Sequence, residues 1–159
     1  RYPAIDPLES YSKYLEYPEV EEYLGEKIEK GWVSLVRKGK TIVQRGKEAN
    51  DQINILGDDG VPVDYHERFW KSELIDFVVL QQDAFDDIDA NCPMERQQMM
   101  YKMVLDICEY DFEFADFEAC SKFFKGLINL FRQMNYSEWK SEKFYDSQKQ
   151  IEEYVAAAK

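Results

Sequence analysis

From Pro18 onward, apolar residues recur every three or four positions through a strongly charged background: Val20, Tyr23, Leu24, Ile28, Leu35, Ile42 and Val43. That spacing gathers them on one face of a helix, which turns once every 3.6 residues. Gly25, Gly31, Gly39 and Gly46 interrupt the run. Each glycine weakens a helix interior by about 1 kcal/mol relative to alanine, so the pattern predicts two helical pieces joined near Gly31 or Gly39. Gly57-Asp58-Asp59-Gly60 followed by Pro62 predicts a turn, and Phe69, Trp70, Leu74, Phe77 and Val78 a short helix after it.

Pro93 stands at a predicted first helical position with Glu95 behind it. There the missing N–H costs nothing and the carboxylate suits the positive end of the helix dipole. This helix is expected to reach about Glu109. Phe117, Cys120, Phe124, Leu127 and Phe131 then mark one buried face by their three- and four-residue spacing. Ser137 is the predicted cap of a last helix carrying Trp139, Phe144, Ile151 and Val155, with a fraying tail over 156–159. Before Pro18 the pattern differs: Pro3 and Pro7 remove backbone donors and favour extended or turn geometry, which predicts a strand end and loop. No strand alternation or internal repeat follows Tyr14. The fold class is therefore all-α, a helical bundle of about five or six helices preceded by that short segment.

Length and composition fit one core, since 159 residues at 45% hydrophobic content need no second independent domain. A formal net charge of -12 disfavours nucleic acid and anionic membranes, both of which call for concentrated Lys and Arg. No segment approaches the ~20 apolar residues needed to span a bilayer, which argues against direct membrane insertion. Cys92, Cys108 and Cys120 lack Cys-x-x-Cys spacing and read as reduced, buried thiols of a cytosolic protein.

Three short motifs imitate chemistry and fail on spacing. Gly39-Lys40-Thr41 suggests a phosphate loop, but Ser34 stands where that loop requires its first glycine. Asp87, Asp89 and Asn91 match the opening of a calcium loop, yet Cys92 replaces the turn glycine and Gln98 the bidentate Glu. His66, the single histidine, has no zinc or relay partner pattern around it and reads as a surface residue of an acidic loop. No catalytic residue and no metal ligand is assigned within the chain.

Two stretches carry a resemblance. Residues 1–14 (RYPAIDPLESYSKY) resemble the end of the nucleotide-binding domain in catalytic subunits of rotary ATPases. Residues 77–93 (FVVLQQDAFDDIDANCP) resemble the leucine-glutamine-glutamine segment of the catalytic A (alpha) subunit of the V/A type, in the family's order and near its separation. The resemblance implies a tail of the nucleotide-binding domain over 1–16 and a C-terminal helical bundle over 17–159. It implies that Tyr2 and Phe85 sandwich an adenine ring, a use suited to aromatic faces. It also places the turn with Asp58, Asp59, Asp64 and Glu67 against the central rotor stalk.

By the same resemblance the full-length subunit binds ATP or ADP with magnesium, while the P-loop and catalytic Glu lie upstream. This chain alone is then expected to be inactive and to hold no cofactor. The implied partners are the noncatalytic B (beta) subunit, the central stalk rotor subunits and the peripheral stalk. The implied location is cytoplasmic, peripheral to the membrane, in a complex that couples ATP hydrolysis or synthesis to proton or sodium transport. Asp6-Pro7 and Tyr2 depart from the common V/A pattern and are similar to the F-type catalytic (beta) subunit, which is one alternative. A stand-alone helical interaction module and a small helical enzyme with a carboxylate site are the others.

Overall fold

The computed structural model describes residues 5–158. Among them are seven α-helical segments and no strand: α1 (Pro18–Lys27), α2 (Trp32–Leu56), α3 (Val63–Ile75), α4 (Asp87–Ala90), α5 (Met94–Glu109), α6 (Phe117–Asn135) and α7 (Glu142–Ala156). The all-α reading holds. The strand end expected before Pro18 does not appear over the described residues 5–16, which form a turn and a 3-10 segment, Lys13–Glu16. This segment lies on α2, where Arg37 donates to the Leu15 carbonyl and Lys40 to that of Ser10, both at 3.1 Å.

The break between the first two helices falls at Gly31, whose φ of 85° suits a residue without Cβ. Gly39 and Gly46 break nothing; they are sites of close approach inside α2. A Cβ on Gly39 would stand 2.1 Å from the Tyr101 hydroxyl, and one on Gly46 would stand 2.1 Å from the Ser72 Cβ. The same absence of Cβ that weakens the isolated helix lets α2 pack closely, antiparallel, along α3. Past Ile75 the chain continues as a π-helical turn, Asp76–Leu80, closed by the Gln81 amide on the Asp76 carbonyl at 2.9 Å.

Helix α6 lies along α3, and α7 folds back over α6. Leu74, Val104, Phe124, Leu127, Phe131, Met134 and Phe144 are sealed from solvent in the shared core. The aromatic stripe of α6 is thus packing, as its spacing indicates. Two boundaries differ from expectation. Pro93 precedes α5 as its cap residue, with ψ of 149°, and Met94 is first in the helix. Ser141, not Ser137, caps α7, accepting from the Phe144 amide at 3.2 Å, so Trp139 lies before the helix. Ser137 is buried and donates to the Gln133 carbonyl at 2.8 Å, closing the end of α6.

The free thiols of Cys108 and Cys120 are buried, and burial pushes both up to about 12; burial does the same to the Tyr101 hydroxyl. These groups favour the folded state while protonated. Unfolded thiols ionise near 9, so stability contributed by the two cysteines is intact below that pH and lost as pH rises toward 12. The urea midpoint should fall between pH 9 and 11, and Cys120→Ala should flatten that slope; an unchanged slope would remove the thiol from this role.

Packing makes a sharper prediction for the glycines. Gly46→Ala gains about 1 kcal/mol of helix propensity but forces its methyl onto Ser72, so it should destabilise by roughly 1–3 kcal/mol. Gly25→Ala meets nothing closer than the Lys30 Cα at 3.7 Å and should stabilise by about 0.5–1 kcal/mol. Chemical denaturation of the two variants checks the opposite signs.

Candidate functional site

Two features stand at opposite ends of one rod formed by α3 and its π-helical extension. At about 1.5 Å per residue, 63–80 spans on the order of 25 Å. Before it comes the turn at 57–62, and after it the segment 81–91 that carries Phe85. Helix α6 runs beside this rod in the same direction. His66 near the start of α3 stacks on Phe117, the first residue of α6, with centroids 5.3 Å apart. Tyr136, just past the other end of α6, donates to Asp83 at 3.1 Å.

Phe85 is fully exposed, at 100%, and no ring contact ties it to another of the described residues. Its backbone, by contrast, is braced. The Phe85 amide donates to Asp83 Oδ1 at 3.0 Å, and the Asp83 amide donates to Asp89 Oδ2 at 2.7 Å. Asp86 caps α4, accepting from the amides of Ile88 and Asp89 at 3.0 and 2.9 Å. Gln82 donates to the Asp89 carbonyl at 3.3 Å. Asp89 is buried, and desolvation raises its carboxyl above the usual range, while the Asp83 amide and the Arg96 guanidinium pull it down. The acidic run that imitates a calcium loop is therefore a cap and turn scaffold.

Arg96, on the first turns of α5, is 0% exposed. Its guanidinium donates to the Ile88 carbonyl at 3.4 Å, to that of Met134 at 3.1 Å and to that of Asn135. It also lies over the Phe144 ring, 5.8 Å from the centroid. One cation thus joins the segment after Phe85 to the carbonyl end of α6, where a positive charge is favoured. Asp83, Asp89 and Tyr136 border, with Phe77 and Arg132, a cleft of about 290 Å³. Tyr2, expected to face Phe85 across the adenine, lies outside the described residues.

At the other end, Gly57 with φ of 81° ends α2, and Asp58–Gly60 forms a 3-10 turn. Asp58, Asp59 and Asp64 are exposed there, with Ile55 and Leu56 exposed beside them on the last turn of α2. Sequence periodicity gave no reason to single out those two apolar residues. Asp64 pairs with Arg68 at 2.7 Å.

Glu67 departs from the surface role expected of it. It is 9% exposed, pairs with Lys71 at 2.7 Å and accepts from the Phe112 amide at 3.2 Å. Lys71 also donates to the Tyr110 carbonyl. Its place one turn into an amphipathic helix, facing the 110–116 connection, is what buries it. His66 is likewise a correction: it is 4% exposed, bonded to the Asp58 carbonyl at 3.0 Å and stacked on Phe117. The exposed acidic set is Asp58, Asp59 and Asp64.

The family model described as the C-terminal domain of V and A type ATP synthase matches residues 21–113, a span that includes both ends. The V-type ATP synthase alpha chain of Chlamydia pneumoniae is 36% identical over 151 residues, which are 95% of this chain and 25% of that protein. That of Protochlamydia amoebophila is 34% identical over 144 residues, 91% of this chain and 24% of the relative. That of Treponema denticola is 30% identical over 156 residues, 98% and 24% respectively. The chain spans about a quarter of the length of these relatives. With the family model covering more than half of its residues and its helices forming one bundle, the chain belongs to the family of C-terminal domains of V and A type ATP synthases.

Proposed function

We propose that this domain serves the catalytic alpha subunit of a V/A-type rotary ATP synthase or ATPase by closing one side of the adenine pocket and transmitting nucleotide state to the rotor. Residues 1–16 are then the tail of the nucleotide-binding domain and 17–159 the bundle. Phosphate and magnesium chemistry belongs to the nucleotide-binding domain, and the bundle supplies Phe85. The observation that carries this reading is the exposed Phe85 ring on a backbone fixed by Asp83, Asp86 and Asp89. A fully exposed side chain on a prepared turn suits stacking on a ligand held by another domain, at low ordering cost. Tyr2 would provide the second face. The neighbours in this reading are the noncatalytic B (beta) subunit, the central stalk and the peripheral stalk, with the complex peripheral to the membrane on its cytoplasmic side.

In the assembled complex, Phe85→Ala should weaken nucleotide binding by about 1–3 kcal/mol, the cost of losing one stacking aromatic, and raise the KM for ATP roughly 5- to 150-fold. Tyr2→Ala should act similarly. Wild-type KM values in both variants would refute the adenine assignment.

The acidic turn is the proposed rotor contact. Asp58 and Asp59 supply negative charge that steers against a basic surface, and Ile55 and Leu56 supply apolar area. Neutralising Asp58 and Asp59 to Asn should change rotation rate or ion-coupling efficiency with nucleotide affinity nearly intact. Asp59→Cys should crosslink to the central stalk; crosslinks confined to the peripheral stalk or the noncatalytic subunit would reassign the turn.

A further inference from the structure

The turn that presents Phe85 is held from outside by a residue beyond the span that the family model matches. Asp83 uses both carboxylate oxygens: Oδ1 accepts the Phe85 amide at 3.0 Å, and Oδ2 accepts the Tyr136 hydroxyl at 3.1 Å. Tyr136 is the residue that ends α6, with its own amide bonded back to the Arg132 carbonyl at 3.3 Å. Its position is therefore fixed by a helix whose Phe124, Leu127, Phe131 and Met134 are sealed in the core. One carboxylate thus lies between a core helix and the backbone of the exposed aromatic. Arg96 provides a parallel tie from the same helix end to the Ile88 carbonyl at 3.4 Å. The hydrogen bond to Asp83 also raises the Tyr136 hydroxyl above its ordinary pKa.

We propose that Tyr136 is a positioning residue for nucleotide binding, acting through Asp83 to fix the backbone of Phe85. This rests on the adenine-pocket reading above. A hydrogen bond from a neutral hydroxyl to a charged carboxylate at a partly solvated site is worth enough to bias a short turn and too little to hold the bundle together. Its loss should loosen residues 82–91 alone. Gln133 and Arg132 on the last turn of α6 are exposed and not the tie; the hydroxyl of Tyr136 is the group that reaches the turn.

The test uses Tyr136→Phe in the assembled complex, which removes the hydroxyl and keeps the ring. Amide hydrogen exchange across 82–91 should accelerate, with α2 and α6 unchanged. The KM for ATP should rise roughly two- to tenfold with a smaller change in kcat, the scale of one hydrogen bond. In a Phe85→Ala background the same substitution should add little to KM, because both residues act through one ring. An additive effect in the double variant would overturn the positioning role. So would a wild-type KM in Tyr136→Phe when Phe85→Ala raises it. A wild-type KM in Phe85→Ala would instead refute the adenine reading, and this inference with it. Exchange that accelerates across the whole domain would assign Tyr136 to stability.

Discussion

Burying the apolar face of α6 is the constraint from which the rest of the architecture follows. Phe124, Leu127, Phe131 and Met134 are all fully excluded from solvent, and four such side chains contribute on the order of 6–12 kcal/mol of transfer free energy before entropy is subtracted. That is comparable to the net stability of a whole domain. The face can be covered only by laying α3 along one side and α7 along the other. Once α3 and α6 lie together with the His66–Phe117 contact at one end and the Asp83–Tyr136 contact at the other, their direction and register are set. The placement of the Phe85 turn and the 57–62 turn at opposite ends is a consequence of that register.

Buried charges at each end specify geometry more than they add stability. Lys71 and Glu67 are desolvated together near the acidic turn, and Arg96 is desolvated near the Phe85 turn. Placing such groups in the interior costs about as much as their pairing returns, whereas removing one partner costs roughly 3–5 kcal/mol. Each therefore penalises any arrangement in which its carbonyl or carboxylate partners move away. Arg96 needs the Ile88, Met134 and Asn135 carbonyls in one place, and Lys71 needs Glu67 and the Tyr110 carbonyl. Phe85 and the exposed aspartates of the 57–62 turn are thus carried on a frame that tolerates little displacement.

Periodicity reads burial, and it was accurate wherever burial alone decides structure. The stripe from Phe117 to Phe131 is legible for that reason, whereas the turn at 57–60 is legible in its Gly and Pro residues and α5 in the Pro93 and Glu95 at its start. It failed where a contact across the bundle overrides a local preference. Gly39 and Gly46 count against a helix locally, yet they permit α2 to approach Tyr101 and Ser72. His66 and Glu67 belong to an acidic stretch, but the helix turns them inward onto Phe117 and Lys71. Phe85 is singled out only through the resemblance of 77–93 to a known family, since periodicity does not distinguish it from a core aromatic. Tyr136 carries no sequence signal, because its hydrogen bond exists only once Asp83 is brought to the end of α6.

If the bundle joins the nucleotide side to the rotor side as a rigid body, its two ends must keep a fixed separation through the catalytic cycle. Pulsed electron-electron spectroscopy on spin labels at Asp59→Cys and Asp87→Cys, with Cys92→Ser, measures that separation in the full-length subunit. One narrow distance, identical with and without bound nucleotide, is the outcome that rigid coupling requires. A distance that changes with nucleotide, or two populations whose ratio changes, would show that the bundle deforms and would contradict transmission by rigid-body motion.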